Sequence, residues 1–236
     1  MTITPLVADR QASARRDAAD GVRSMLPWLV GVIPFGMVVG MTVRSSGVST
    51  AVGMATGATI YSGSAQLTAL ELLRGGAGVA VVVTSVLVIN ARLILYGSSL
   101  APHWSGTGLG FRAAASYLVV DPSFVVGMHR YHKEPRGGHT HFLAAGITLW
   151  VAWQAAMVAG LALGGGVPGW LSLERAVPLF LLAELVRVVK SRPALNAAVI
   201  GAAAAVVGSR LPLHGGVLVG AVAGVTAALV SERGGS

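Results

Sequence analysis

Three polar clusters interrupt otherwise apolar stretches of this chain, and their residue types define the chemistry open to it. Asn90 and Arg92 sit midway along the run from Gly78 to Leu100. Tyr61-Ser62-Gly63-Ser64-Ala65-Gln66 breaks a second run, and Asp121-Pro122 a third. An arginine at the centre of a membrane helix costs about 2.5–3.5 kcal/mol on insertion scales, so it is expected to face protein or a watery cavity. A carboxylate at that depth is expected to be protonated or paired with a cation. Arg92 is the only other strongly charged group expected near the depth of Asp121, which leads us to expect an Arg92–Asp121 contact, direct or through water. Such a pair could handle protons or a charged ligand, or it could do no more than fix helix register.

Serine and glycine together at mid-membrane favour a kink or an unwound turn where the freed backbone faces protein or water. A half-helix starting near Ala65 would aim its N-terminal amides at the break and offer a site for an anion, including an amino-acid carboxylate. Ser62, Gly63, Ser64 and Gln66 are therefore candidate binding residues, with Asn90 as an orienting group. Close packing of small residues, with hydroxyls bonded back to carbonyls, is the other reading of this stretch. Pro34-Phe35-Gly36 interrupts the first apolar run. Pro34 and Gly36 mark a helix break lining the same cavity, or a plain proline kink.

The bulk composition sets the elements that must hold these groups. Charged residues make up 11% of the chain and mean hydropathy is +0.72, against about 25% charged in a soluble domain. The fold expected is all-α, a polytopic helical membrane protein of about eight segments, or seven spans if one segment is re-entrant. The segments run at 26–43, 49–73, 78–100, 113–128, 142–163, 176–189, 194–208 and 215–230. The fourth, sixth and seventh are short for a bilayer that needs about 20 residues, which suggests tilted, re-entrant or broken elements. Residues 1–24 read as a cytoplasmic tail, 25–231 as one transmembrane transport domain, and 232–236 as a short C-terminal tail. With eight spans, twelve of the 17 Lys and Arg residues fall on one side, four on the other, and Arg92 within the membrane. That bias places both termini in the cytoplasm. Trp28, Trp104 and Trp170 fall at expected interfaces, as an aromatic belt requires.

Other features carry less. The net charge of +8 is spread among the spans, which speaks against nucleic-acid binding. No cysteine is present, so disulfides and thiol chemistry are excluded. His129, His132, His139 and His141 are spaced loosely around Pro135 and Gly137. A solvated loop is expected there rather than a metal or pH-sensing site, and no cofactor is implied. Glu71 with Arg74, and Glu184 with Arg187, read as ordinary i,i+3 helix pairs. Gly216, Gly220 and Gly224 form a strip for close helix contact, within the chain or with another polypeptide. Ser62 or Ser64 with His214 could form the dyad of an intramembrane serine protease, but the usual Gly-x-Ser-Gly context is missing. A scaffold subunit with no transport role is the remaining reading, though it has little need of interior charges.

Pro34-Phe35-Gly36, Tyr61 to Gln66, and Asn90-Ala91-Arg92 through Tyr96-Gly97 together resemble the AzlC family, the large subunits of branched-chain amino acid exporters. The similarity is strongest from about Gly21 to Pro102. Beyond that it continues as Asp121 with Phe124, Trp150 and Pro178-Leu179-Phe180. The resemblance implies a bacterial inner-membrane permease working with a small hydrophobic AzlD-type subunit. It also implies export of valine, leucine, isoleucine or methionine, driven by the proton gradient. Family members often carry an acidic residue directly after the fourth-segment aspartate. Here the run is Val120-Asp121-Pro122-Ser123, so only Asp121 carries over.

Overall fold

The computed structural model describes residues 4–134, 138–164, 189, 191–208 and 215–233. The sixth expected segment, apart from Val189, lies outside the described residues, as do Pro178, Glu184, Arg187 and His214. Every described element is helical. The chain divides into two compact units, residues 1–168 and 169–236.

The first unit contains α1 (Thr4–Ser45), α2 (Thr50–Thr59), α3 (Gly63–Arg74), α4 (Val79–Leu100), a short 3-10 turn (Ala101–Trp104), α5 (Leu109–Tyr117), α6 (Asp121–Lys133) and α7 (His139–Leu163). Among the described residues, three helical stretches are long and apolar enough to cross a membrane: Ala12–Ser45, Val79–Trp104 and His139–Leu163. The expected tail at 1–24 is helical from Thr4 and continuous with the first span. The helix also runs unbroken through Pro34 and Gly36, so no break occurs there. Each of its two prolines, Pro27 and Pro34, removes one ladder hydrogen bond. The packing of α1 on α7 holds the helix together across both.

That packing is parallel, because contacts advance together along the two helices. Gly21 meets the His141 backbone, Gly36 lies under Trp153 and Ala156, and Gly40 meets the Met157 backbone. A Cβ added to Gly40 would run into the Met157 carbonyl oxygen, and one on Gly160 into that of Met37. With no hydrophobic driving force between helices in lipid, such close backbone approach is what holds membrane helices together.

The second expected segment is not a span. Thr56 and Gln66, placed symmetrically about the turn at 60–62, are hydrogen-bonded to each other. Gly57 lies against Met157, Gly63 against Phe35 and Trp153, and Gln66 contacts Met157 again. The chain therefore descends along α2, turns, and climbs back along α3. α4 then descends beside α3, with Leu72 packed near Val82 and Ser64 beside Arg92.

The fourth expected segment is also a hairpin, opening to the opposite face. Phe111 contacts His139 near the start of α7, Leu118 contacts Gly146, and Tyr117 bonds Trp150, so α5 climbs along α7. α6 returns beside α4 through the pairs Arg92–Asp121, Tyr96–Phe124 and Trp104–Tyr131. At about 1.5 Å per residue, α2, α3, α5 and α6 each reach only about 13–20 Å, half of a hydrocarbon core about 30 Å thick. A span followed by a re-entrant hairpin thus occurs twice, in opposite orientation, an inverted-repeat arrangement.

The re-entrant topology moves Arg74 to the outer face and Arg112 to the inner one. The basic excess around α1–α7 keeps its direction, with the start of α1 on the cytoplasmic side. Trp104 is not an interfacial belt residue. It is 3% exposed and donates to the Tyr131 hydroxyl at 3.1 Å.

In the second unit, α8 (Arg192–Gly208) packs on α9 (Gly215–Arg233). A Cβ on Gly220 would lie 2.7 Å from both Ala205 Cβ and the Gly201 carbonyl oxygen. Gly224 lies against Ala197 and Gly201, so the helix facing this part of the glycine strip is internal.

Candidate functional site at the meeting of two half-helices

The two hairpin tips meet. Tyr61, at the first tip, stacks on Tyr117, which leads into the second, with ring centroids 5.5 Å apart. The Tyr117 hydroxyl donates to the Ala58 carbonyl oxygen at 2.6 Å and accepts from Trp150 Nε1 at 2.8 Å. Tyr61 has φ +38°, the left-handed region, and is the one described non-glycine residue with positive φ. Such a conformation costs about 1–3 kcal/mol and persists only where surrounding packing imposes it. Here it lets the chain reverse in three residues.

Beyond each tip a half-helix begins. α3 starts at Gly63, two residues earlier than the sequence suggests, with Ser62 as its N-cap. α6 starts at Asp121, with Pro122 in its first turn, where a missing N–H costs nothing. The Ser123 hydroxyl accepts from Val120 N at 2.9 Å and donates to the Leu118 carbonyl oxygen at 2.6 Å, which clasps the second turn. Asp121 therefore lies at a helix N-terminus, where the macrodipole favours its negative charge.

Arg92 ties the two half-helices together. Its Nη1 donates to Asp121 Oδ1 at 2.8 Å and its Nη2 to Ser64 Oγ at 3.4 Å. The Tyr96 hydroxyl, one helical turn from Arg92, donates to the same Asp121 oxygen at 2.9 Å. The expected Arg92–Asp121 contact is thus present and direct. It is not sealed within the chain: the two side chains are 40% and 43% exposed. α4 meets α3 and α6 along one face and leaves Leu87, Ile94 and Leu95 on the other largely uncovered.

Around this pair, several buried polar atoms lack a hydrogen-bond partner among the described residues: Tyr61 Oη, Ser62 Oγ, Asn90 Oδ1 and Arg92 Nε. A buried polar group without a partner costs about 1–3 kcal/mol, so these atoms can take up ligand or water. Gln66 is different. It is fully buried; its Nε2 donates to Thr56 Oγ1 at 2.8 Å and its Oε1 accepts from Trp153 Nε1 at 3.3 Å. In this conformation Gln66 braces the hairpin against α7. Gly63 provides room instead of a ligand: a Cβ there would strike the Phe35 ring and lie 2.8 Å from Trp153 Cη2. Pro34 and Gly36 flank this same packing of Phe35 and Trp153.

Sequence reasoning quoted Tyr96 within a motif but gave no role to it, to Tyr117 or to Trp153. Tyr96 was within reach, since it sits four residues after Arg92 and so on the same helix face. The roles of Tyr117 and Trp153 depend on tertiary contacts alone. Of the histidines, His139 contacts the Tyr131 hydroxyl and His141 the Ser24 hydroxyl, each at 3.2 Å, while His129 and His132 are exposed.

The inner membrane protein YgaZ of Escherichia coli (strain K12) is 24% identical over 222 residues, covering 89% of each chain. No solved structure matches. The family described as AzlC protein matches residues 27–167, which hold both re-entrant hairpins, the second and third spans of the first unit and the later part of the first. This chain therefore belongs to the AzlC family of membrane proteins.

Proposed function

We propose that this protein is the large subunit of a two-subunit permease that exports branched-chain amino acids, with methionine as a further substrate, across a bacterial inner membrane. The observation that carries the reading is Arg92 joined at once to Ser64 and Asp121, in the first turns of two half-helices that enter from opposite faces. Two positive helix ends and a guanidinium attract a carboxylate, and one aspartate supplies a counter-charge for an ammonium. A zwitterion satisfies both.

In this scheme the α3 N-terminal amides, with Ser62 and Ser64, hold the substrate carboxylate. Asn90 Oδ1 orients the ammonium, and exposed apolar surface accepts the branched side chain. Asp121, restrained by Arg92 and Tyr96, meets the ammonium or exchanges a proton. One charge crossing 100 mV supplies about 2.3 kcal/mol, enough to sustain appreciable accumulation. The uncovered face of α4 is where a small hydrophobic subunit of the AzlD type would complete the site. No step uses a nucleophile or a cofactor.

The test is export from cells loaded with branched-chain dipeptides, comparing this chain alone, the chain with its small partner, and neither. Faster release of leucine, isoleucine or valine with the pair supports the reading. Equal release in all three overturns it.

A further inference from the structure

A second polar site lies on the cytoplasmic side, in a groove of about 370 Å³ between α1 and α6 over the start of α7. This size falls within the range of small-molecule sites. Asp20 and Ser24 line one wall, Val125, His129 and Lys133 the other, and His141 the base. The groove contains both charge signs. Lys133 has no ion pair among the described residues, whereas Arg130 is engaged by Asp17 at 2.7 Å and Glu134 at 2.9 Å.

His141 adds an independent signal. Its side chain is buried, with the residue 4% exposed. Ser24 Oγ donates its one proton to the Asp20 carbonyl oxygen at 2.8 Å, so at 3.2 Å from His141 Nε2 it accepts. With the Ser24 proton on that carbonyl the ring proton sits on Nε2, and in either tautomer Nδ1 is buried without a partner among the described residues. The groove thus offers an acceptor at Asp20, which also pairs with Arg23 at 3.4 Å, a donor at Lys133, and an apolar side chain, Val125, beside them, with the unpartnered His141 Nδ1 buried beneath. Asp121, Val125, His129 and Lys133 follow at i, i+4 spacing along α6, so a continuous ridge joins the groove to the half-helix tip.

We infer that the groove is a docking site for a zwitterionic, apolar-side-chain amino acid at the inner opening, filled before the site at Arg92 and Asp121. The carboxylate meets Lys133 and His129, the ammonium meets Asp20 above the buried His141 ring, and the side chain rests on Val125. This inference rests on the transport reading above. The combination of one carboxylate, Asp20, with a lysine free of ion pairs among the described residues, while Arg130 is engaged elsewhere, fits an ammonium-bearing ligand better than a purely anionic lipid headgroup.

The experiment is equilibrium binding of labelled L-leucine to the full-length chain together with its small partner subunit in nanodiscs of stated lipid composition, paired with transport kinetics in vesicles that hold the same complex. The inference expects two sites per chain. Lys133→Ala should abolish one and raise KM for leucine on the cytoplasmic side about tenfold, with kcat and the KM for outside leucine unchanged. Asp121→Asn should abolish the other. Lys133→Arg should restore the first, which separates a lost contact from misfolding. A single site unaffected by Lys133→Ala overturns the inference and leaves the membrane-centre reading intact. Loss of a co-purifying phospholipid in Lys133→Ala, with leucine binding unchanged, makes the groove a lipid site and also overturns it. No leucine binding to the wild-type chain, together with no transport, overturns the permease reading and this inference with it.

Discussion

Replacing Asp121 by Asn removes one charge from the centre of the site while keeping its size. The carboxylate oxygen Oδ1 accepts from Arg92 at 2.8 Å and from Tyr96 at 2.9 Å. Hydrogen bonds to charged groups contribute about 1.5–3 kcal/mol, neutral ones about 0.5–1.5, so two weakened bonds amount to about 2 kcal/mol. The limits agree: solvent-exposed pairs are worth about 0.2–1 kcal/mol, and breaking a fully buried one costs about 3–5. With both side chains roughly 40% exposed, the stability loss falls between those limits, small enough for the chain to fold. Function loses more, because the asparagine neither attracts an ammonium nor carries a proton. At about 1.4 kcal/mol per factor of ten, a lost charge contact of 1.5–3 kcal/mol lowers flux roughly 10- to 100-fold. The assay is counterflow of labelled leucine in vesicles containing equal amounts of monodisperse protein, with Asp121→Glu as the charge-retaining control. Wild-type flux in Asp121→Asn would refute the reasoning.

Gly160→Leu forces a side chain into the Met37 carbonyl, where neither backbone can yield. It should lower thermal stability by well over 2 kcal/mol, read as a lost or broadened melting transition, whereas Gly78→Ala, which meets nothing within 4 Å, should leave melting unchanged. Gln66→Leu strands the Trp153 indole N–H and should cost about 1–3 kcal/mol by the same measurement, with leucine affinity altered less than by Asp121→Asn. A serine-reactive fluorophosphonate should leave Ser62 and Ser64 unlabelled by mass spectrometry. Labelling at either would favour the protease reading.

The sequence made the Arg92–Asp121 pair legible because membrane energetics leave an isolated charge few alternatives. The break after Tyr61 was legible for a related reason: serine and glycine free the backbone only where something polar receives it. Hydropathy could not separate a span from a hairpin. A run such as 49–73 is long enough to cross the bilayer once or to reach its middle twice, and both bury the same side chains. Contacts remote in sequence decide between the two, such as Gln66 returning to the level of Met157 and Phe111 reaching His139. Pro34 misled for the opposite reason. A proline marks a lost hydrogen bond, and the close packing of α1 on α7 keeps the helix continuous regardless. The exposure of the ion pair was equally hidden, since one chain's sequence does not say which helix faces remain uncovered.

The chain has no cysteine, so Ser64→Cys places a single thiol where α3 begins, beside Arg92. Modification of that thiol by a small maleimide, timed with and without saturating leucine in vesicles that hold the complete permease, reports directly on whether substrate occupies the meeting point of the half-helices. Several-fold slower modification with leucine, and none of that protection with an amino acid that is not transported, is the result this account predicts. Identical rates in the presence and absence of leucine would contradict it.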